Sequence, residues 1–303
     1  MVPESETPPT NLKPGYSDKG ESEMHIGPVH HSLIEILEHP ASPNLILVGG
    51  VSILLRLDWL RRQQARTLID QIPAARATSD LDFILSLDLF VNSEKGANVR
   101  VMLDELGYNS KTDFMQFTKG DVQIDFMARV PDSAELWSKL KVGASRVGSR
   151  VRIDLHGIPT KEAFAVEDEP YKVDVVLDRT PGLNERFAVR IAHPFGLINM
   201  KVRAAQDWLE CRLKQDPPKP YSEKHALDVY ILIASLTEPE LLQCERLASQ
   251  YEDHQLAKEI RREAMALFST PQSPGFIEAK RQAGQEIDHG SFFDGLSQSL
   301  RIS

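Results

Sequence analysis

Asp80 and Asp82 stand two residues apart in SDLDFILSLD, at the start of an apolar run that reads as a β-strand. Strand residues i and i+2 point to the same face, so both carboxylates are presented together, as the sharing of divalent cations requires. The pattern by itself carries little: with 21 aspartates in 303 residues, roughly 1.5 such triplets arise by chance. Context gives it weight. A third carboxylate, Asp125, lies inside another strand-like run, VQIDFMARV, where an apolar surround makes an unpaired charge costly. Three carboxylates converging from strands point to a bound metal and to the metal-assisted chemistry of phosphoryl transfer. Taken singly, the aspartates also read as turn, cap or cross-strand ion-pair residues.

The elements that must position these groups follow from periodicity. NLILVGG is a short apolar run closed by Gly49 and Gly50, and VSILLRLDWLRRQQ continues it with leucines and a tryptophan at helical spacing, so strand, tight turn and helix are expected. Glycines let backbone amides approach a phosphate, a following helix N-terminus favours negative charge, and Ser52 adds a hydroxyl. The same turn also serves simply for close packing, and neither GxxxxGK[ST] nor GxGxxG is present. Upstream, SLIEILEH predicts an amphipathic helix ending before Pro40. Downstream, VRVMLDELGY predicts a helix, and FMQFT with VQIDFMARV around KGD predicts a hairpin. RVRIDL, KVDVVL and FAVRIAH read as further short strands. From Pro194 the pattern turns helical: INMKVRAAQDWLECRL, KHALDVYILIASL and EPELLQCERLASQYEDHQLAKEIRREAMALF.

The order LVGG, RATSDLDF, VQIDF resembles the nucleotidyltransferase fold of the DNA polymerase β superfamily. More narrowly, GGVSILLRL, the R-x-T-x-D-x-D form at Arg76, Thr78, Asp80 and Asp82, and the helical second half resemble the AbiEii-type nucleotidyltransferase toxins, over residues 44–235. The resemblance implies an α+β fold, a nucleotidyltransferase-type mixed sheet followed by a helical domain, with a nucleotide in the cleft between them. It implies Mg2+ in a two-metal site, with Mn2+ as a substitute, held by Asp80, Asp82 and Asp125, and Asp125 as acceptor of the attacking hydroxyl's proton. Lys201 in INMKVRAA matches a lysine that completes the family's nucleotide site; phosphoryl transfer would have it neutralise the departing pyrophosphate, alongside amides near Gly50 and Ser52, and Arg76 would orient the strand or the phosphates. Lys224 and Asp228 match the later lysine and aspartate of the nucleotide site. They are also an i, i+4 pair of opposite charge, which reads equally as a solvated helix staple. The chain departs from the family at His225, which stands where aspartate is usual, and in the long gap between the double glycine and Asp80.

The implied function is metal-dependent transfer of a nucleoside monophosphate from an NTP to an acceptor hydroxyl, with RNA, and a tRNA 3′ end within it, as the leading acceptor class and a neutralising antitoxin as partner; a protein hydroxyl or a small molecule is an acceptor that the same metal site serves equally. The alternative, motivated by His225, is a non-catalytic nucleotide-binding or interaction module of the same fold.

The organisation expected is a disordered leader over 1–32, with five prolines and five acids, a sheet domain over 33–192, a helical domain over 193–270 and a loosely attached tail over 271–303. Lys and Arg number 35 against 44 Asp and Glu, a net charge of −9, which argues against a general affinity for nucleic acid or anionic membrane. Local basic patches remain: Lys139, Lys141, Arg146, Arg150 and Arg152 in one acid-free stretch, and Arg56, Arg61, Arg62 and Arg66 on the first long helix. Each reads as a phosphate-backbone contact or as a solvated surface. Trp59, Trp137 and Trp208 read as packing residues, and His30 and His31 as residues without a catalytic role. No apolar run reaches the ~18 residues of a membrane span, there is no signal-like N-terminus, and two distant cysteines suggest neither disulfide nor zinc. A cytoplasmic protein is expected.

Overall fold

Leu45–Val48 (β1) is four consecutive apolar residues, all buried, as a strand covered on both faces must be. Leu45 and Leu47 join one apolar core while Ile46 and Val48 join another, so the two faces of the sheet pack against different layers. This computed structural model describes residues 29–75, 78, 80–180, 183–214 and 222–302. The first 28 residues of the expected leader and Arg76 lie outside the described residues.

The sheet is mixed and ten-stranded. β2 (Asp80–Leu85) pairs antiparallel with β1 and parallel with β5 (Val122–Arg129). Beyond β5 lie β8 (His156–Thr160), β7 (Val147–Ser149) and β6 (Leu140–Val142). The other side of β1 carries β10 (Leu183–Ile191), parallel to it, and then β9 (Tyr171–Thr180). β3 (Asn109–Thr112) and β4 (Gln116–Lys119) form a hairpin whose second strand runs antiparallel to the start of β5.

One face of the sheet is covered by α1 (His30–Glu38) and α4 (Ser93–Glu105), whose Leu33, Ile36, Val99 and Met102 belong to the same core as Leu81, Phe83 and Leu85 of β2. The opposite face carries Ile46, Val48 and Ile84 and is covered by helices of the C-terminal half. That half comprises α6 (Pro194–Leu213), α7 (His225–Ala234), α8 (Glu238–Gln250), α9 (Gln255–Phe268), α10 (Pro274–Ala283) and α11 (His289–Leu300). Ala226 through Ala234 of α7 are all buried, which places this helix at the centre of the bundle. Asp80 and Asp82 share their strand face with Ile84, so the carboxylates look toward the helical half.

Several elements differ from expectation. Residues 271–303 are not loosely attached through 302: Phe276, Phe292, Leu296 and Leu300 are buried in the helical core, because α10 and α11 pack on α7, α8 and α9. His30, expected at a disordered edge, is buried in the first turn of α1. The last expected helix is two, α8 and α9, broken at Tyr251–His254. RVRIDL forms no strand; it connects β7 to β8, with Val151 and Arg152 exposed. α3 (Leu87–Val91) was not legible as a helix. Trp208 is buried, but Trp137 is 45% exposed.

The arginine row on α2 (Gly49–Arg62) does not form one basic face. Arg56 is fully buried. Its Nε and one terminal nitrogen donate to the two carboxylate oxygens of Glu240 at 2.9 and 2.6 Å, and it also donates to the hydroxyl and carbonyl of Ser235. Arg62 bonds Asp58 on the same helix at 2.7 Å and the Asp174 carbonyl. Glu240 closes the capping box at the start of α8, and Ser235 ends α7, so Arg56 ties α2 to both helices.

Candidate active site

The strand register builds the acidic side of the site. Asp82 lies opposite Asp125, and Asp80 opposite Gln123, across the parallel β2–β5 pair. Asp80, Asp82, Gln123 and Asp125 therefore form a four-cornered array on one face. Gln123 donates to both oxygens of Asp125 at 2.9 and 3.0 Å, and Gln116, opposite Asp125 on β4, donates at 2.8 Å. The two glutamines fix the direction of Asp125. Sequence reasoning missed them, although Gln123 precedes Asp125 by the strand period of two.

Gly49 begins α2 with φ of +71°, in the left-handed region that favours glycine. A Cβ there would stand 2.0 Å from Asp82 Oδ2, so the glycine lets the carboxylate lie directly on the backbone. Gly50 faces Thr78. No side chain caps the helix, leaving its first amides available to a ligand. Ser52 is buried and its hydroxyl donates to the Gly49 carbonyl at 2.8 Å, bracing the turn from within.

The other wall comes from the helices. Lys201 of α6 donates to Asp228 Oδ2 of α7 at 2.7 Å, with both side chains about one-tenth exposed. His225, first residue of α7, has Nδ1 3.6 Å from the same oxygen. Gly50, Thr78, Asp80 and Asp82 from the sheet side and Lys201, Lys224, His225 and Asp228 from the helical side line one narrow cleft of about 60 Å³, with Ile53 and Ala75 between them. Asp125 stands beside Asp82 by register but, like Gly49 and Ser52, does not line the cleft.

The charges are coupled across it. Burial pushes the Asp82 carboxyl up to about 6; Lys201 and Lys224 oppose this, and Asp125 and Asp80 add to it. Burial also raises Asp125, against the two amide bonds. For Asp228, burial is outweighed by Lys201 and His225, which hold its carboxyl well below the ordinary carboxylate range.

A divalent cation fits this donor set by charge. Asp82 is a crowded, desolvated carboxylate next to two others, and a cation would relieve both penalties. Among the described residues no group of three acidic, histidine or cysteine side chains is already gathered around one point, and Asp80, Asp82 and Asp125 are the residues that would hold the cation.

A wider depression of about 710 Å³ lies among the C-terminal helices, lined by Glu252, Asp253, Lys258, Arg261 and Arg301. Lys258 pairs with Asp253 there and Arg301 with Glu252. It holds charges of both signs.

Among the described residues no helix is long and apolar enough to cross a membrane. Of the basic stretch 139–152, Lys139 ends a short helix and pairs with Glu135 on it, Lys141 and Arg146 belong to the β6–β7 hairpin, and Arg150 and Arg152 lie in the connection to β8. No protein-family model matches the chain, and no curated protein matches it.

Proposed function

We propose that the protein is a metal-dependent nucleotidyltransferase, binding an NTP between the sheet and the helical half and transferring its nucleoside monophosphate to an acceptor hydroxyl. The observation that carries this reading is the register of β2 and β5, which brings Asp80, Asp82 and Asp125 to one face opposite Lys201. The resemblance of the double glycine, Asp80–Asp82 and Asp125 to the AbiEii-type nucleotidyltransferase toxins supports it.

In the reaction the acceptor oxygen bonds to the α-phosphorus while the bond from that phosphorus to pyrophosphate breaks. Asp80 and Asp82 would hold Mg2+, with Asp125 beside them; the cation supplies neutralisation of phosphate charge and lowers the cost of deprotonating the acceptor hydroxyl. Asp125, oriented by Gln116 and Gln123, receives the hydroxyl proton. Gly49 and Gly50 permit close approach of the backbone, and the uncapped amides at the start of α2 face the phosphates. Lys201 places a positive charge against the leaving pyrophosphate, and Lys224 adds a second.

The site is narrow. Ligand cavities usually hold ~300–1,000 Å³, so a nucleotide must widen the cleft, separating the helical wall from the sheet.

The acceptor class we propose is RNA, with a tRNA 3′ end first among candidates and an antitoxin as partner, by resemblance. Purified protein is incubated with Mg2+, each α-labelled NTP and total RNA, beside Asp80→Ala/Asp82→Ala. Label on RNA from wild type alone supports the reading; label on the protein itself redirects the acceptor to a protein hydroxyl. A nucleotide-binding module without chemistry is the second reading, favoured by His225, which lines the cleft where the family's motif carries aspartate. It predicts metal-dependent NTP binding with no transfer to any acceptor.

A further inference from the structure

The cleft is closed by its own charges. Lys201 and Asp228 are already paired at 2.7 Å, so the lysine is neutralised before a ligand arrives. A phosphate that recruits Lys201 takes it from Asp228 and leaves a largely buried carboxylate without its counter-charge, a strongly unfavourable state. A replacement stands beside it. His225 Nδ1 is 3.6 Å from Asp228 Oδ2, just beyond hydrogen-bond reach, and this buried nitrogen has no hydrogen-bond partner. The imidazole lines the same cleft.

We infer that binding of a triphosphate transfers Lys201 from Asp228 to the phosphates, and that His225 takes up one proton from solvent and replaces Lys201 as the partner of Asp228. The proton adds to the imidazole, and the Nδ1–H then donates to Asp228 Oδ2. No bond to phosphorus forms or breaks and no co-reactant is consumed. This rests on the reading that the cleft receives a nucleotide, and adds a proton-coupled role for His225 as a positioning residue.

The surroundings set the direction. The groups facing His225 are Lys201 from α6, Lys224 and Asp228 from its own segment, and Asp80 and Asp82 across the cleft. From α10, Arg281 pairs with Glu223 just before α7. With the cleft empty, burial lowers the histidine below its ordinary value of 6.5, Asp228 opposes this, and the two lysines assist it. Once Lys201 turns to a phosphate, the anionic ligand and the released Asp228 both favour the imidazolium. Nucleotide affinity therefore strengthens as pH falls, by up to about tenfold per pH unit, in the window around the ordinary histidine value.

The test is isothermal titration of the full chain with Mg2+ and ATP, GTP, CTP, UTP or pyrophosphate, in two buffers of different ionisation enthalpy at the same pH. Wild type is expected to take up more protons per ligand than His225→Gln, the difference approaching about one near pH 6.5. The ligand's own titration is common to both proteins and cancels. Binding with equal proton counts overturns the inference and leaves the nucleotide reading intact. No binding of any of these ligands to folded wild type removes both. Should His225→Gln fail to fold, the histidine ring-proton resonances of wild type decide. One resonance whose titration midpoint rises on addition of pyrophosphate supports the exchange, and none that moves overturns it.

Discussion

Asp82 supplies a carboxylate to the cleft but works against the stability of the empty protein, and Asp82→Asn separates the two effects. Its carboxyl titrates at about 6 in the fold against an ordinary 3.8, burial being the main cause. That interval corresponds to at most about 3 kcal/mol at ~1.36 kcal/mol per pH unit. Asp82 retains some contact with solvent, which screens the charges, so about 1–2 kcal/mol is the working figure. The sign follows from the raised value: the penalty is absent below pH 3.8, grows through 6 and is complete at neutral pH. Asparagine keeps the shape over Gly49 and removes the charge. In EDTA at pH 7 the variant should melt about 2–6 °C above wild type, and the gap should close toward pH 4. Adding Mg2+ should raise the melting temperature of wild type and leave the variant nearly unmoved. An asparagine variant no more stable than wild type in EDTA, or equally stabilised by Mg2+, would refute the account of a crowded carboxylate awaiting a cation.

Other perturbations probe the same framework. At pH 8, where His225 stays neutral and cannot stand in, Lys201→Met strands Asp228 and should cost about 3–5 kcal/mol in urea unfolding; Asp228→Asn in the same chain should recover most of it, and equal losses would show the pair is not what holds the two helices. Arg56→Met should cost a similar ~3–5 kcal/mol by taking the counter-charge from the largely enclosed Glu240, which keeps only its bonds from Thr237 and Tyr171, with partial recovery in Arg56→Met/Glu240→Leu; a loss below about 1 kcal/mol, as for a surface pair, contradicts the clasp. Gly49→Ala combines about 1–2 kcal/mol of backbone strain with displacement of Asp82, so label transfer should fall sharply while circular dichroism stays native; full activity would deny the close approach its role. His193 titrates at about 4 rather than 6.5 because it is buried. The unfolded chain thus takes up a proton the fold refuses, and stability present above pH 6.5 is lost progressively toward pH 4, up to about 3 kcal/mol. Its Nδ1 caps α6 through the Phe195 amide at 3.2 Å, so His193→Asn should keep the cap and flatten that pH dependence in denaturant titrations.

The parts of this molecule that obey a local period could be read from the chain. Apolar runs marked β1, β2 and β5, and the two-residue period put Asp80 with Asp82 and Asp125 with Gln123 on common faces. Pairing was not legible, because nothing in VQIDFMARV says that Asp125 will stand against Asp82 rather than slip by a residue; that comes from the packing of Leu81, Phe83, Ile124 and Phe126 into one core. Arg56 reads on paper as a solvated helix residue, and its burial depends on Glu240, 184 positions away. Helices α10 and α11 were missed since their apolar residues, Phe276, Ala279, Phe292 and Leu296, are few and set among proline, glycine, serine and charged residues that weaken the helical period. Lys201 and Asp228 were singled out separately, but their pairing with each other, which closes the cleft, arises only when α6 and α7 pack.

The central claim is transfer of a nucleotide rather than simple binding or hydrolysis, and paired labels decide it. Purified protein with Mg2+ and total RNA is given the same NTP labelled at the α- or at the γ-phosphate, with Asp80→Ala/Asp82→Ala alongside. The account predicts that wild type moves the α-label to RNA and releases the γ-label as pyrophosphate in equal amounts, and that the double variant does neither. Release of the γ-label as inorganic phosphate without α-label on any acceptor, or equal transfer by the double variant, would contradict it.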